Sequence, residues 1–184
     1  MKMRILVLAV IFGLGYSITN AQTSTFSNGD KVLNLGIGVG GYANWGYAAV
    51  VPPVSASFEV GIKDGVLDKG SIGVGGFIAY SSYKDNSMSD NYWSYNRMIL
   101  GARGTFHYPF IDKLDTYAGL LLGFGTYSWK WHGSGPKPSN LASSGPRLDG
   151  FVGGRYYFAD KIAAMAELGS GLTYLTVGLA LKLK

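Results

Sequence analysis

The sequence contains no cysteine. Neither a disulfide framework nor a lipid-modified cysteine is therefore available, and stability has to come from hydrogen bonding and packing. Charged residues are also scarce, at 15%, whereas hydrophobic residues make up 47% of the chain. Beyond the N-terminus no stretch is long and apolar enough for a transmembrane helix, and this combination is typical of a membrane sheet.

The single long apolar run covers residues 5–16, behind two basic residues, and small and polar residues follow it up to Ala21. It is shorter than the roughly 20 residues that a spanning helix needs. We therefore predict a cleaved secretory signal peptide over residues 1–21 and one domain over residues 22–184. The formal net charge of +5 falls by two with the signal peptide, to +3, which is too mild to predict nucleic-acid binding.

The C-terminal segment shows the clearest periodicity. Two alternating segments follow one another from Lys161 to Lys184 with almost no loop between them. In the last one, Leu175, Val177, Leu179, Leu181 and Leu183 share one face, and Tyr174, Thr176, Gly178, Ala180 and Lys182 share the other. Because successive side chains of a strand point to opposite faces, this pattern predicts the closing hairpin of a membrane β-barrel.

Eight segments of the chain are long enough for strands that cross a bilayer, which takes roughly 9–11 residues. They cover residues 31–42, 54–62, 70–83, 93–108, 115–130, 147–158, 161–170 and 172–183. We predict an all-β fold, an eight-stranded antiparallel up-and-down transmembrane β-barrel.

The connectors alternate in character. Three are tight and contain Asp-Lys, at Asp68, Asp112 and Asp160, with spacings of 44 and 48 residues. The others are mostly longer and cover residues 43–53, 84–92 and 131–146, with a minimal one near residues 170–173. Outer-membrane barrels have short periplasmic turns and longer extracellular loops, so we predict the Asp-Lys turns and both termini on the periplasmic side.

Alternation also sorts the side chains into a lipid-facing and an interior set. The predicted outward set is apolar: Leu33, Leu35, Ile37, Val39, Ala56, Phe58, Val60, Ile72, Val74, Ile78, Met98, Leu100 and Phe106. The interior set is small or polar, whereas a soluble barrel would have the reverse arrangement. The fifth strand fits either phase because Leu120, Leu121 and Leu122 are consecutive.

Aromatic residues concentrate near the predicted strand ends, which predicts two girdles at the headgroup levels. The outer girdle would contain Tyr42, Trp45, Tyr80, Tyr83, Tyr92, Trp93, Tyr127, Trp129 and Trp131. The inner girdle would contain Phe106, Tyr108, Tyr156 and Phe158.

The C-terminal residues Ala166-Glu167-Leu168-Gly169, Gly171-Leu172-Thr173 and Leu175-Thr176-Val177-Gly178-Leu179 carry a resemblance to a known group. With the eight-strand layout, the chain resembles the small outer-membrane β-barrel proteins of the Bacteroidota, related to the OmpA, OmpX and opacity-protein group. The resemblance implies an address in the Gram-negative outer membrane and insertion by the barrel-assembly machinery. The chain differs from this group at the C-terminus, because the group finishes on an aromatic residue and this sequence ends Leu183-Lys184.

Charged residues on the predicted interior faces are the most informative polar feature, because an ionised group inside a membrane must be paired, hydrated or functional. They are Glu59, Arg97, Arg103, Asp149, Arg155, Glu167 and Lys182. Four of them, Glu59, Arg103, Arg155 and Glu167, fall at similar depths. We predict a salt-bridge network that closes the lumen, with conduction or gating as the alternative.

Catalytic patterns are weak. The two histidines are His107, at the periplasmic end of a strand, and His132, in an external loop with Ser134. A Ser and an acid near a loop His are common, so we expect no enzyme. Gly36, Gly38 and Gly41 match a dinucleotide fingerprint but lie inside a strand with no helix after it, and no metal-ligand cluster is visible, so we expect no cofactor.

Function is therefore expected in the loops or on the lipid-facing wall. The candidate extracellular loop contacts are Trp45, Asp85, Asp90, Trp131, His132 and Lys137. The leading hypothesis is a non-enzymatic barrel with a structural or protein-interaction role, in contact with outer-membrane lipid and with a partner protein of that membrane. The alternatives are a narrow OmpW-like channel for small apolar solutes and a binding or adhesion role of the loops. A partner surface would appear as an outward groove at Gly104, Gly150 and Gly154.

Overall fold

The computed structural model describes residues 25–39, 47–85, 91–133, 141–169 and 171–183. They form eight strands that pair antiparallel with their sequence neighbours and close into a barrel through β1 and β8. The strands are β1 Lys31–Val39, β2 Tyr47–Val66, β3 Gly70–Asp85, β4 Tyr92–Ile111, β5 Leu114–His132, β6 Leu141–Ala159, β7 Ile162–Gly169 and β8 Leu175–Leu183. The predicted fold class is confirmed.

Among the described residues, no helix has the length and apolar character needed to cross a membrane.

Three tight turns join β2 to β3, β4 to β5 and β6 to β7 at residues 67–69, 112–113 and 160–161. Leu67, Asp68 and Lys113 adopt positive φ angles of 51°, 78° and 64°, which lets the chain reverse within two or three residues. All three Asp-Lys pairs thus lie in turns at one end of the barrel, together with the start of β1 and the end of β8. We call this the turn end and the opposite end the loop end.

The apolar face of each strand points outward. Leu35, Ile37, Phe58, Val74, Ile78, Met98 and Leu100 are all exposed, as the alternation predicts. In β5 the structure assigns Leu121, 3% exposed, to the interior and places Leu120 and Leu122 outside at 58% and 66%. Polar side chains such as Asn34, Ser57 and Thr105 are buried inside. Apolar-out and polar-in is the arrangement of a barrel that spans a membrane.

The strand lengths differ from the sequence prediction at the loop end. β2 begins at Tyr47 and β6 at Leu141, so much of two predicted loops, residues 43–53 and 131–146, belongs to strands. In the structure, Pro53 lies beyond the β1 pairing, which reaches Val54, and Pro146 lies beyond the β7 pairing, which starts at Phe151. Proline lacks an N–H and is tolerated where a strand has a partner on one side only.

The last predicted strand is also shorter than expected. Residues 172–174 are not part of β8, which starts at Leu175. Leu172 and Thr173 instead turn inward and are buried, and Leu172 packs in one cluster with Ile99 and Leu121. The short β7–β8 connection therefore covers the interior at the loop end of the barrel. Residues 40–42, which were predicted to complete β1, lie outside the described residues.

Five strands continue past the closed part of the barrel. In the described chain, residues 141–150 of β6 pair with β5 alone and residues 47–53 of β2 pair with β3 alone. β2 and β4 have 20 residues each, about twice the length that crosses a bilayer. We call the portion of β2–β6 beyond the Tyr80–Met98 pair the extension.

The outer face of the extension changes from apolar to polar. Below Tyr80 and Met98 the outward residues are mainly leucine, isoleucine, valine and phenylalanine. Above them the outward positions of β3, β4, β5 and β6 include Lys84, Ser94, Asn96, Ser128, Lys130 and Ala142. The extension therefore projects from the membrane into water.

The predicted outer girdle is largely wrong. Tyr80 faces outward, but Tyr83, Trp93, Tyr127, Trp129 and Trp131 share the inward phase of Ile99 and Leu121 on their strands. They line the inner face of the extension and do not meet lipid. Tyr42 and Trp45 lie outside the described residues. At the turn end, outward Phe110, Tyr156 and Phe158 are exposed at the level where a girdle is expected.

The position of the membrane boundary can be tested with two matched substitutions. Ala102 and Ala142 both face outward and are exposed, one within the apolar band and the other on the extension. Ala102→Arg should reduce the free energy of unfolding from lipid vesicles by about 2–4 kcal/mol, and Ala142→Arg by less than about 1 kcal/mol. If denaturant titrations give equal losses of unfolding free energy for the two variants, the apolar band does not mark the part of the barrel that lies in the membrane.

Candidate functional site

Four titratable side chains from four strands meet inside the barrel near its turn end. Arg155 of β6, 0% exposed, donates hydrogen bonds to Asp115 of β5, at 2.9 Å, and to Glu59 of β2. His107 of β4 lies between the same carboxylates, with Nδ1 2.7 Å from Asp115 Oδ1 and Nε2 2.9 Å from Glu59 Oε1. Thr105 Oγ1 also donates to Glu59. We call Glu59, His107, Asp115 and Arg155 the buried quartet.

The strand register and one glycine bring the quartet together. Asp115 and Arg155 are direct partners across the β5–β6 pair. Glu59 has to reach past β3 to the side chains of β4, and Gly73 of β3 leaves that space. A Cβ at Gly73 would lie 2.5 Å from Glu59 Oε1 and 2.6 Å from Thr105 Oγ1. A larger residue at this position would push Glu59 out of the cluster.

A second ion pair lies next to the quartet towards the loop end. Arg103 Nη2 donates to Glu167 Oε2 at 2.8 Å, and its Nη1 donates to Ser57 Oγ at 3.2 Å. The guanidinium carbon of Arg103 lies 3.9 Å from the ring centroid of Phe151. The side chains of Arg103 and Glu167 are 4% and 13% exposed, so the pair is largely shielded from water.

Tyr117 of β5 connects the two groups. Its hydroxyl donates to Glu167 at 3.2 Å, and the guanidinium carbon of Arg155 lies 4.6 Å from its ring centroid. Gly153 on β6 makes room for this ring, since a Cβ there would lie 2.6 Å from Tyr117 Cζ. The buried charges therefore form one contiguous block across the lumen.

The segment before β1 closes the turn end. Phe26 is 1% exposed and stacks on His107 with a centroid distance of 4.0 Å. Ser71 Oγ donates to the Phe26 carbonyl at 2.8 Å. Lys182 of β8 forms an ion pair with Asp30 at 2.7 Å. The phenyl ring thus shields the buried quartet from the aqueous side.

The structure places the seven predicted interior charges in different parts of the barrel. Glu59 with Arg155 and Arg103 with Glu167 lie in the block described above. Asp149 pairs with Arg147 of the same strand at 2.9 Å, Lys182 pairs with Asp30, and Arg97 lies in the extension. Similar depth was predicted for Glu59, Arg103, Arg155 and Glu167, and these four lie in the block.

Two members of the quartet, His107 and Asp115, were not among the predicted interior charges. His107 was predicted to lie at the periplasmic end of a strand, and Asp115 was not named. The alternation along β4 could have predicted that His107 points inward, because it lies on the same face of the strand as Arg103 and Thr105. An inward histidine in an apolar-out barrel has to find a polar partner.

The geometry of the quartet suits a structural role. Both ring nitrogens of His107 face carboxylates, so neither is left to activate a nucleophile. Arg155 occupies both carboxylates as well. Within the described part of the chain, no group of three or more His, Cys, Asp or Glu side chains is arranged to hold a metal ion.

A second candidate site is a cavity of about 380 Å³ in the extension. We call it the aromatic cup. Tyr47 meets Tyr95 edge to face with centroids 4.8 Å apart, and the guanidinium carbon of Arg97 lies 5.0 Å from the centroid of Tyr127. The described residues that line it are Tyr47, Tyr83, Tyr95, Asn96, Arg97, Tyr127, Ser128 and Trp129.

Three of the six predicted loop contacts lie in the part of the chain that the structure describes. Trp45, Asp90 and Lys137 lie outside the described residues, as does Ser134. Asp85 ends β3, and the ring of Trp131 lies 5.4 Å from that of Trp93.

His132 ends β5 on an exposed position. Its ring stacks on Tyr92 at 4.8 Å, and its Nε2 lies 3.0 Å from Ser94 Oγ. Tyr92 and Ser94 belong to the neighbouring strand β4, so these contacts fix the end of β5 against it.

No protein-family model and no curated protein sequence matches this chain. Among solved structures it is similar to Ail, the attachment invasion locus protein of Yersinia pestis, at 16% identity over 84% of this chain and 95% of that chain, with a TM-score of 0.45. The structure of Ail in complex with the heparin analogue sucrose octasulfate is 16% identical over 84% of this chain and 96% of that chain, with a TM-score of 0.46. The N-terminal β-barrel domain of Pseudomonas aeruginosa OprF is 13% identical over 85% of this chain and 98% of that chain, with a TM-score of 0.45. The function of this chain has to be argued from its own side chains.

The contribution of the buried quartet can be measured by a double-mutant cycle. Glu59→Gln leaves the Arg155 charge short of a partner and should lower the free energy of unfolding by about 3–5 kcal/mol. Glu59→Gln combined with Arg155→Gln should cost less than the sum of the two single changes, by about 0.5–3 kcal/mol. Asp160→Asn, in an exposed turn, is the control and should have little effect. Additive losses would contradict a coupled network.

The closure by Phe26 has its own matched control. Phe26→Ala removes a buried ring and should cost about 3–5 kcal/mol in denaturant unfolding. Phe110→Ala removes a ring that is 63% exposed at the same end of the barrel and should cost clearly less. If the two variants are equally destabilised, the segment before β1 does not seal the barrel.

Proposed function

We propose that this chain is a non-enzymatic barrel of the Gram-negative outer membrane, closed to solutes, with a structural or protein-interaction role. The signal peptide over residues 1–21 would direct export and then be cleaved, and insertion would use the barrel-assembly machinery, as in the Bacteroidota barrels that the sequence resembles. The turn end would then face the periplasm and the extension the outside.

The filled lumen carries this proposal. From Phe26 at one end to Leu172 at the other, buried side chains occupy the interior of the closed part. A cavity beside Arg103 and Leu172 has a volume of about 40 Å³. One water needs about 10–15 Å³ by this measure, so only a few waters fit. An eight-stranded barrel has room for side chains and hardly for a channel.

This filling weighs against the alternative of a narrow channel for apolar solutes. Such a channel needs a continuous or laterally open apolar path. Here the block around Arg155 and Arg103 crosses the lumen and is charged, so an apolar solute would have to displace paired ions.

A partner would have to bind outside the barrel wall. The proposed groove of small outward residues is not continuous, because Leu120 lies between Gly104 and Gly150 in the register and its side chain is exposed. Gly104 itself borders open space, next to Ala102 on the same face of β4. The lipid-facing wall thus offers a shallow contact, and the loop end offers the alternative of extracellular binding.

Planar-bilayer recording tests the closed barrel. The purified mature chain should show no discrete conductance steps, because the block fills the lumen. The same recording on the Glu59→Gln variant tests whether the quartet is the seal, with Asp160→Asn as the control. Reproducible conductance steps from the unmodified protein would contradict the proposal of a closed barrel.

The interaction role needs a separate measurement. A mild-detergent pull-down of the tagged protein from native outer membrane, with mass spectrometry, should recover a stoichiometric partner. Recovery of the barrel alone would remove the partner role and leave a purely structural one.

A further inference from the structure

We propose that the outer face of the extension binds the phosphate of an outer-leaflet glycolipid through two lysines above the apolar band. Lys84 of β3 and Lys130 of β5 both pair with Ser94 of β4, so the three residues form one row across adjacent strands. We call Lys84, Ser94 and Lys130 the lysine row. The proposal rests on the outer-membrane location and orientation proposed above, and it adds the class of lipid and the residues that bind it.

The spacing of the lysine row suits one phosphate group. Neighbouring strands lie about 4.7–4.9 Å apart, so the backbones of Lys84 and Lys130 are separated by about 10 Å. Both side chains are exposed on the outer face. A lysine side chain is a flexible four-carbon stem that carries a point charge, and lysine binds phosphate in this way. The two ammonium groups can therefore approach the same phosphate from either side of Ser94.

The positive charge of the row is not neutralised by the protein. In the part of the chain that the structure describes, no carboxylate forms an ion pair with Lys84 or Lys130. Asp85 is next to Lys84 in the sequence, but successive side chains of a strand point to opposite faces, so it belongs to the inner face of β3. The outer face therefore offers two cations to a ligand.

The turn end has the opposite arrangement. Each of its three tight turns places a lysine directly after an aspartate, at Lys69, Lys113 and Lys161. Charge is thus balanced within each turn, whereas the outward positions of the extension, among the described residues, carry two lysines and no acid. Clustered lysines next to a membrane surface attract anionic lipid headgroups. The excess of positive charge lies at the external surface alone.

Hydrogen-bond donors continue from the lysine row down to the apolar band. Asn96 and Ser128 face outward one row closer to the membrane. The Tyr80 hydroxyl donates to Asn96 Oδ1 at 3.0 Å, which leaves the two N–H donors of this amide for a ligand. Lysine stems can also lie along the wall towards the lipid while the ammonium groups stay at the headgroup level. A lipid phosphate is the anion that lies at this height beside the wall.

Native mass spectrometry of the mature chain in a non-ionic detergent tests the proposal with two probes, bisphosphorylated lipid A and the same lipid without its phosphates. The acyl chains are identical, so a difference in affinity reports the phosphates. We expect the phosphorylated probe to bind at least about tenfold more tightly. Lys84→Gln and Lys130→Gln should each reduce this preference by about fivefold, and the double variant should abolish it.

Lys69→Gln combined with Lys161→Gln is the matched control, because it removes the same two charges at exposed positions of the turn end. It should keep the full preference. Lys84→Arg combined with Lys130→Arg keeps both charges and should retain most of it. Folding of every variant is checked by its heat-modifiable mobility in electrophoresis. Equal affinity for the two probes, a preference that survives the Lys84 and Lys130 double variant, or its loss in the turn-end control would each overturn the proposal.

Inorganic phosphate as a competitor separates a lipid site from a site for free anions. It should displace phosphorylated lipid A only in large excess, because the acyl chains also bind the apolar band. Displacement at an equal concentration would overturn the assignment to a lipid. Failure of these experiments is distinct from failure of the closed barrel, which conductance steps in planar bilayers would reveal.

Discussion

The closed part of the barrel depends on the burial of one guanidinium. Arg155 is shielded completely from solvent inside a membrane-spanning wall, and an uncompensated charge there would be strongly destabilising. Its neighbours follow from that constraint. Asp115 and Glu59 supply the opposite charge, His107 fills the space between them, and Phe26 keeps water away. Even Gly73 is explained, because any side chain there would displace Glu59.

Unequal strand lengths determine the rest of the architecture. β1, β7 and β8 have 8–9 residues, whereas β2–β6 have 16–20, so the sheet closes only as far as the short strands reach. Beyond that level the five long strands continue, and in the described chain two of them, β2 and β6, have a partner on one side only. Exposed edges tend to pair with other chains, and prolines oppose such pairing. Pro52, Pro53 and Pro146 lie along these two segments.

Much of the fold could be predicted from alternation and turn chemistry, because both are local. The strand centres, the tight Asp-Lys turns and the outward apolar set follow from the sequence. The extension could not be predicted from prolines alone, since their effect depends on whether a second strand is adjacent, and that is a tertiary property. Whether each aromatic side chain points inward or outward could have been predicted from the alternation along its strand. Tyr83, Trp93 and Trp129 are an even number of positions from interior residues of the same strand. The pairing of Asp115 with Arg155 required the register, which no local pattern specifies.

The contrast between Arg155 and Arg97 connects the two candidate sites. In the part of the wall that crosses the membrane, a guanidinium is tolerated when carboxylates and ring faces surround it, and its donors are then used for the structure. Above the polar transition of the outer face, water supplies the solvation, and no such enclosure is needed. Arg97 is half-buried there and lies against the ring of Tyr127. The same residue type thus needs full enclosure at one depth and only partial enclosure at another, and the level of the membrane surface decides which.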